Sequence, residues 1–504
     1  MMAIEKIMGT ETEVGITARD PSGFDPVGSS IFLINRVPLA RPGKAMWDYA
    51  AENPLLDARG FEVSGERERP SQQDNRAINK VLTNGGRLYV DGAHPEYSTP
   101  ECTNARDVVL YEKAGERIFD LCRQQANRQL PPHGELLLYK NNSDGKGNSY
   151  GNHENYLVSR RIRTRKETTD NFEKLYLPLT AFLVSRNVIC GAGKVGGENG
   201  TEGVEYQISQ RADFFETWIG LDTMAKRPII NTRDEPHADE EKYRRLHVIV
   251  GDSNMSEVAT YLKVGTTAIV LSMIEDGMVD EDFLALEDPV RAIKEISHDP
   301  TCRRRVRLKR GKEFTAVELQ REYLAKALDY YSGRETPPQV ADLLERWGRV
   351  LDGLAEDPMS LHRELDWVIK AELLRSYARK KGYRFDDHRV ALLDLQYHDL
   401  RRDKGLYYKL EQGDYVERIV TDAEIERAMM DPPTDTRAYF RGACLQKFGD
   451  QIYGASWSSV IFDTGEAAVK KIPMAEPARG TRKLVGEVLE RSETVAELLE
   501  RLSA

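Results

Sequence analysis

Glu11 and Glu13 alternate within Ile7-Met8-Gly9-Thr10-Glu11-Thr12-Glu13-Val14-Gly15-Ile16-Thr17, so a strand there turns both carboxylates to one face with Gly9 and Gly15. Tyr89 and Asp91 share the face of a second candidate strand, Gly85-Gly86-Arg87-Leu88-Tyr89-Val90-Asp91, and a turn at His94-Pro95 brings Glu96 close behind. His153 sits in the polar island Gly151-Asn152-His153-Glu154-Asn155-Tyr156, and His247 in Arg244-Arg245-Leu246-His247-Val248. Carboxylates crowded into one cavity repel each other and require cations. Hard oxygen ligands joined by one or two imidazoles suit Mg2+ or Mn2+, whose remaining positions take water and phosphate oxygens. A lone Gly-x-Glu-x-Glu strand is ordinarily the solvated face of an antiparallel sheet, and a lone histidine is ordinarily structural. It is the combination that points to a cavity able to hold metal and phosphate.

Such a cavity needs strands to carry it. Glu135–Tyr139 and Arg244–Asp252 read as further strands. Residues from about Pro38 to Asn79 are rich in Pro, Gly, Arg and Glu around an aromatic island (Trp47, Tyr49, Phe61), which predicts a long functional or mobile loop. After about residue 255 the periodicity turns helical. Thr315 and Glu318 form a capping box ahead of Leu319, Tyr323, Ala327 and Tyr330, and Val340, Leu343, Trp347 and Leu351 repeat the spacing, as do Leu365, Val368 and Leu373. These predict helical hairpins over 315–380, packed on the sheet. Asp431-Pro432-Pro433-Thr434-Asp435 predicts a linker, followed by a short strand at Ser459–Phe462 and two helices.

The 504 residues carry 72 Lys+Arg against 82 Asp+Glu, a net charge of −10 that argues against non-specific nucleic-acid binding. With 40% apolar residues the chain can bury a large core, yet no apolar run approaches the roughly 20 residues that cross a bilayer. The first residues, Met1-Met2-Ala3-Ile4-Glu5-Lys6, lack the pattern of a secretory signal. Five scattered cysteines without a CxxC exclude a disulfide scaffold or structural zinc site and suit a reducing cytoplasm. Gly191-Ala192-Gly193-Lys194 lacks the spacing of a phosphate loop and reads as a tight turn; no G-x-S-x-G begins a serine triad, and Cys102 has no positioned base. Arg303–Arg310 is locally basic: a solvated strand or loop, or in a sharper reading a contact for an acidic partner.

The blocks Gly9–Glu13, Arg87–Asp91, His94–Tyr97, His153–Tyr156, Asn231–His237 and Tyr243–His247 closely resemble the Pup ligase–deamidase family, over nearly the whole chain. The resemblance implies an α+β fold of the glutamine synthetase-like class, a curved antiparallel sheet packed with helices and cradling ATP and divalent cations. It would span residues 1–430, with a small C-terminal domain at 431–504. Residue by residue it implies Mg2+ ligation by Glu11, Tyr89, Glu96, His153 and His247, and nucleotide contacts at Gly9, Thr10, Glu11, Thr12, Glu13, Ser98, Thr99, Asn155 and Arg245. Asp91 would be the catalytic aspartate, while Arg211, Arg233 and His237 would be outer-sphere or substrate residues.

Trp47-Asp48-Tyr49, Asp57–Phe61 and the stretch Pro432–Gly442 with Ala455–Trp457 and Ser459–Asp463 resemble the hydrolase branch of that family rather than the ligase branch. The implied reaction is hydrolysis of the side-chain amide of a C-terminal Gln of Pup, and of the isopeptide bond between Pup and a substrate lysine, with ATP as a bound cofactor. Asp91 could attack as a nucleophile, activate water, or serve a bound phosphate that attacks. The alternatives are a ligase that forms the same bond through a γ-glutamyl phosphate, and a non-catalytic Pup-binding adaptor. Implied partners are Pup and pupylated proteins, with no nucleic acid and no membrane, in the cytoplasm. Pup, acidic and largely disordered as the family knows it, would need a groove with basic patches, for which Arg303–Arg310 is a candidate.

Overall fold

The computed structural model describes residues 3–503 except 21, 23, 39–44, 66–68, 133, 165–166 and 466–467. Alternation places the first strand: in β1 (Met8–Glu13) Met8, Thr10 and Thr12 are buried while Gly9, Glu11 and Glu13 face a cleft. Five more strands complete its sheet: β2 (Asn79–Val81), β3 (Arg87–Asp91), β4 (His94–Ser98), β5 (Asn152–Ser159) and β6 (Tyr243–Val248). Their order is β6-β5-β1-β4-β3-β2, antiparallel at every junction. The α+β architecture expected from the sequence is present.

The face behind the cleft is not purely apolar. Helices α1 (Ala105–Asn127) and α2 (Glu257–Glu275) cover it. Thr10 Oγ1 donates to Glu112 at 3.1 Å, and Lys140 Nζ bridges Glu112 and Glu116 at 2.6 and 2.8 Å. Glu154 is held by the Arg186 guanidinium, 2.8 Å from Nη1. These buried charge pairs fix the register of β1 and β5 where apolar contact alone would allow sliding. Helix α2 is long and apolar enough to cross a membrane, but 94% of its apolar window is buried inside the protein.

Helices α3 (Ala316–Tyr331), α4 (Pro338–Glu356) and α5 (Asp366–Lys381) occupy the predicted helical region, and the Thr315/Glu318 capping box forms. Helices α3 and α4 pack chiefly on α2 and on helix Glu173–Ser185, so a helical layer separates them from the sheet they were expected to touch.

Two segments depart from their sequence expectation. Within 38–79, of which 39–44 and 66–68 lie outside the described residues, the chain is anchored rather than a bare loop. Met46–Trp47 pairs in parallel with Ile452–Ser456, Leu56–Asp57 pairs with Phe61–Glu62, and Gln72–Ile78 is helical. Trp47 is 2% exposed, edge-on to Trp457 at 5.1 Å between ring centres, and Asn75 hydrogen-bonds both its backbone N–H and C=O. The predicted linker is a docked turn: Pro432 and Pro433 are buried, and Thr436 Oγ1 donates to the Glu101 carbonyl at 2.9 Å. Around it lies a second core, with Phe440, Phe448, Ile452, Phe462, Leu489 and Leu498 joined by Trp47 and Val81 from far upstream.

Candidate active site

Antiparallel register assembles the cleft. Glu11 lies opposite both His153 and Ser98; Glu13 lies opposite Glu96, and Glu96 opposite Tyr89. Asn155 pairs with Gly9 on one side and His247 on the other, and Asp91 with His94. Directly opposed residues share a face, so every strand contributes to one polar floor. Gly9 is required there: a Cβ would stand 2.8 Å from Thr99 Oγ1, the atom that accepts the Thr10 N–H.

Two sets of potential ligand atoms converge on this floor, each within 4.8 Å of one another: Glu11, His153 and His247, and Glu13, Glu96 and His153. His153 belongs to both, with Nδ1 3.6 Å from Glu11 and its ring 5.0 Å from that of His247. Asn155 Nδ2 donates to Glu11 at 3.1 Å, and its Oδ1 lies 3.0 Å from His247 Nδ1. His94 Nδ1 stands 3.4 Å from Glu13, whose other oxygen accepts the Gly151 N–H at 3.0 Å.

The electrostatics of this floor are those of a cation site. Burial favours a neutral Glu11, but the His153 hydrogen bond and the nearby His247 and Arg245 overcome it and hold the carboxyl well below its usual range. Glu96 goes the other way: burial and the charges of Glu13, Asp91 and Glu11 push it well above. Its Oε2 is buried without a hydrogen-bond partner. Burial, then Arg245, against the attraction of Glu11, holds His247 well below the usual imidazole range, so it presents a neutral lone pair. Tyr89 is kept protonated by burial and by Glu96 and Glu11. An orphaned carboxylate oxygen, neutral imidazole and crowded oxygens fit a divalent cation.

Next to this floor opens a pocket whose apolar lining is Ile7, Met8, Leu157, Pro236, Trp457 and Pro477 over Gly9. Of the nine expected nucleotide residues, Gly9, Thr10, Glu11, Ser98, Thr99, Asn155 and Arg245 line it. Thr12 does not, because its side chain faces the opposite side and accepts from Asn152 Nδ2 at 2.8 Å; Glu13 joins the second ligand set instead. Arg245 spans the junction, its Nε donating to the Glu235 carbonyl at 2.7 Å and its Nη1 3.6 Å from Glu11. A second, polar cavity shares Glu11, Ser98, His237, Arg245 and Trp457 and adds Tyr89, Asp91, His153, Arg233 and His247. A base-sized apolar slot opening onto cationic and carboxylate groups is the shape of a nucleotide–metal site.

Asp91 sits at the exposed edge of the polar cavity. Burial of its surroundings and the charges of Glu13 and Glu11, against His153 and Arg233, raise its carboxyl above the usual range. Arg233 reaches the same cavity with its Nε unpaired.

Other lining residues are given no site role from the sequence, although Tyr49, Glu235, Arg437 and Trp457 fall in stretches that carry the family resemblance. Tyr49 and Glu52 come from the 38–79 segment, Glu235 holds Arg245, and Arg437, Trp457 and Pro477 reach the pocket from the C-terminal part. Arg437 is some 330 positions from its partner Glu101, and only the fold brings them together. Arg303–Arg310 lies outside this cleft on an exposed hairpin, where Arg304, Arg305 and Arg310 pair with Glu295, Glu318 and Asp282.

Comparison with known proteins places this geometry. A depupylase of Acidothermus cellulolyticus is 50% identical over 510 residues, covering 99% of each chain. A Pup deamidase/depupylase of Mycobacterium tuberculosis is 46% identical over 516 residues, again 99% of each. Among solved structures, the Pup ligase PafA in complex with ADP superposes with a TM-score of 0.73 at 34% identity, over 85% of this chain and 95% of the other. The family described as Pup-ligase protein matches residues 6–461, and the chain belongs to it.

Proposed function

We propose that the protein is a Pup deamidase and depupylase, hydrolysing the γ-amide of a C-terminal glutamine of Pup and the isopeptide bond that joins Pup to a lysine, in the cytoplasm. The observation that carries the reading is the pairing of an unpaired, accessible Asp91 with two convergent ligand sets beside an apolar pocket. Full-length relatives at 46–50% identity that bear the depupylase name support it over the ligase.

Glu11, His153 and His247, or Glu13, Glu96 and His153, would hold a divalent cation, the one lone pair of a neutral His153 serving a single ion, with Tyr89 alongside. Gly9, Thr10, Ser98, Thr99, Asn155 and Arg245 would hold ATP. When bound, Mg2+ and the nucleotide supply fixed charge that neutralises the carboxylates and polarises the scissile carbonyl. The chain's own residues do the rest. Asp91 faces the cavity, where its carboxylate would attack the carbonyl or take the proton of the attacking water. Arg233 lines the same cavity, where its guanidinium would orient the carbonyl oxygen. Amide hydrolysis is downhill, so nucleotide is retained rather than spent.

Incubation of the purified protein with a Pup–protein conjugate and Mg2+, with and without ATP, tests this when free substrate and ADP are followed together. Nucleotide-dependent release with ADP far below one equivalent is expected. Stoichiometric ADP with conjugate formed from glutamate-ended Pup and a lysine acceptor would establish the ligase instead.

A further inference from the structure

A ligand set works only if its members are aimed. Around Glu11 and His247 this falls to Asn155, whose Nδ2 donates to Glu11 at 3.1 Å and whose Oδ1 lies 3.0 Å from His247 Nδ1. In the other set Glu96 Oε2 has no hydrogen-bond partner, whereas Glu13 is held at both oxygens. One oxygen accepts the Gly151 N–H at 3.0 Å; the other stands 3.4 Å from His94 Nδ1. A carboxylate has about four lone-pair sites, enough to keep both contacts and still bind a cation. His94 itself belongs to neither ligand set.

What lies behind His94 is rigid. Its ring rests against that of Tyr150, with centres 4.5 Å apart and planes at 31°. Tyr150 is buried, its hydroxyl donating to Asn141 and its carbonyl accepting from Asn142 Nδ2 at 3.0 Å. Gly15 leaves room for that hydroxyl, since a Cβ there would stand 2.5 Å from it. The backbone is fixed on either side of His94: the Ala93 carbonyl accepts from Ser30 Oγ at 2.8 Å, and that of Pro95 from the Val14 N–H at 3.0 Å. Directly across the β3–β4 hairpin its partner in register is Asp91. A histidine that only solvated the hairpin would need no such backing.

We propose that His94 is a positioning residue: backed by Tyr150, it aims the Glu13 carboxylate at Glu96 and His153 and so sets how tightly that set holds a divalent cation. The inference rests on the metal site of the proposed function. Outer partners of this kind orient a ligand, and losing one costs about 10–100-fold in metal affinity. Because His94 and Asp91 face each other across the hairpin, the contact also ties the ligand Glu13 to the turn that presents Asp91.

The test titrates the full-length protein with Mn2+ in place of Mg2+, followed by EPR, without nucleotide and again with ADP. The Mg2+ dependence of conjugate hydrolysis is measured beside it. His94→Phe keeps a ring against Tyr150 and removes the donor, whereas His94→Asn keeps a donor near the Nδ1 position and loses the ring. In His94→Phe the Kd for Mn2+ should rise by about 10–100-fold. The Mg2+ needed for half-maximal hydrolysis should rise with it, and kcat should return at saturating Mg2+. His94→Asn should recover much of the affinity, and Tm without metal should stay near wild type in both variants. Unchanged Mn2+ affinity in His94→Phe overturns the proposal and places the cation in the Glu11 set. An equal loss in the two variants also overturns it, because the donor would then not be what holds Glu13. So does a lowered metal-free Tm with kcat lost at every Mg2+ concentration, the mark of a purely structural histidine. Wild type that binds no Mn2+, alone or beside ADP, would instead refute the metal reading on which the proposal stands.

Discussion

Asp91 and Glu96 lie on neighbouring strands of the same floor, and their surroundings separate their tasks. Glu96 is buried with an unsatisfied oxygen, the condition of a ligand awaiting a cation, whereas Asp91 stands at the rim, open to substrate. Asp91→Asn should therefore fold and bind nucleotide like wild type while hydrolysis falls by at least about a hundredfold, since the amide is neither base nor nucleophile. Single-turnover cleavage beside nucleotide titration checks this, and full activity would remove Asp91 from the mechanism. The floor was legible because strand alternation exposes side-chain direction in the sequence: Glu11 with Glu13, and Tyr89 with Asp91. Thr12 shows the other side of the same rule, since its parity turns its hydroxyl away from the cleft to accept from Asn152 Nδ2.

At the level of elements, the segment that reads as a loop acts as a strap. Asp57 is buried and accepts from Thr232 Oγ1 at 2.6 Å and from Arg59, while the Ala58 N–H donates to the Thr232 carbonyl and the Asp234 N–H to that of Leu56. The Asn53 N–H is held by Glu235, the residue that also binds Arg245. The strap thus fixes 231–235, which carries Arg233 to the cavity. Asp57→Ala should lower kcat/KM for the conjugate by about tenfold through misplacement of that segment. Tm should change little, because the strap lies at the edge of the main core. Unchanged kinetics would make it a passive cover. Composition gave no hint of this role, as it rests on backbone bonds between segments some 175 residues apart.

On the scale of the whole molecule, the Glu101 carboxylate ties the C-terminal part to the apolar pocket over Gly9. Glu101 lines that pocket and receives both Arg437 Nε at 2.7 Å and the Arg441 guanidinium, neither of which has another carboxylate partner among the described residues. The Pro432-Pro433 turn signalled a boundary in the sequence, but the clamp that closes over it could not be read there, because its partners are more than 300 positions apart. Burial would raise the Glu101 pKa; Arg441 and Arg437 reverse that and hold it at about 2, against 4.5 for a free glutamate. A depressed folded-state pKa stabilises the protein above pH ~4.5, and the contribution drains away as pH falls toward 2. With 13% of the side chain exposed, the contribution is on the order of 3 kcal/mol. Glu101→Gln should forfeit it at neutral pH and leave two buried guanidiniums unpaired, so the urea midpoint should drop clearly at pH 7. The gap from wild type should narrow as both are measured down through pH 4 and toward 3. Because Arg437 also lines the pocket, nucleotide affinity should weaken in parallel at pH 7. A pH-independent gap would mean that the carboxylate is not the charged keystone, and a gap without loss of nucleotide affinity would uncouple the C-terminal part from the pocket it closes.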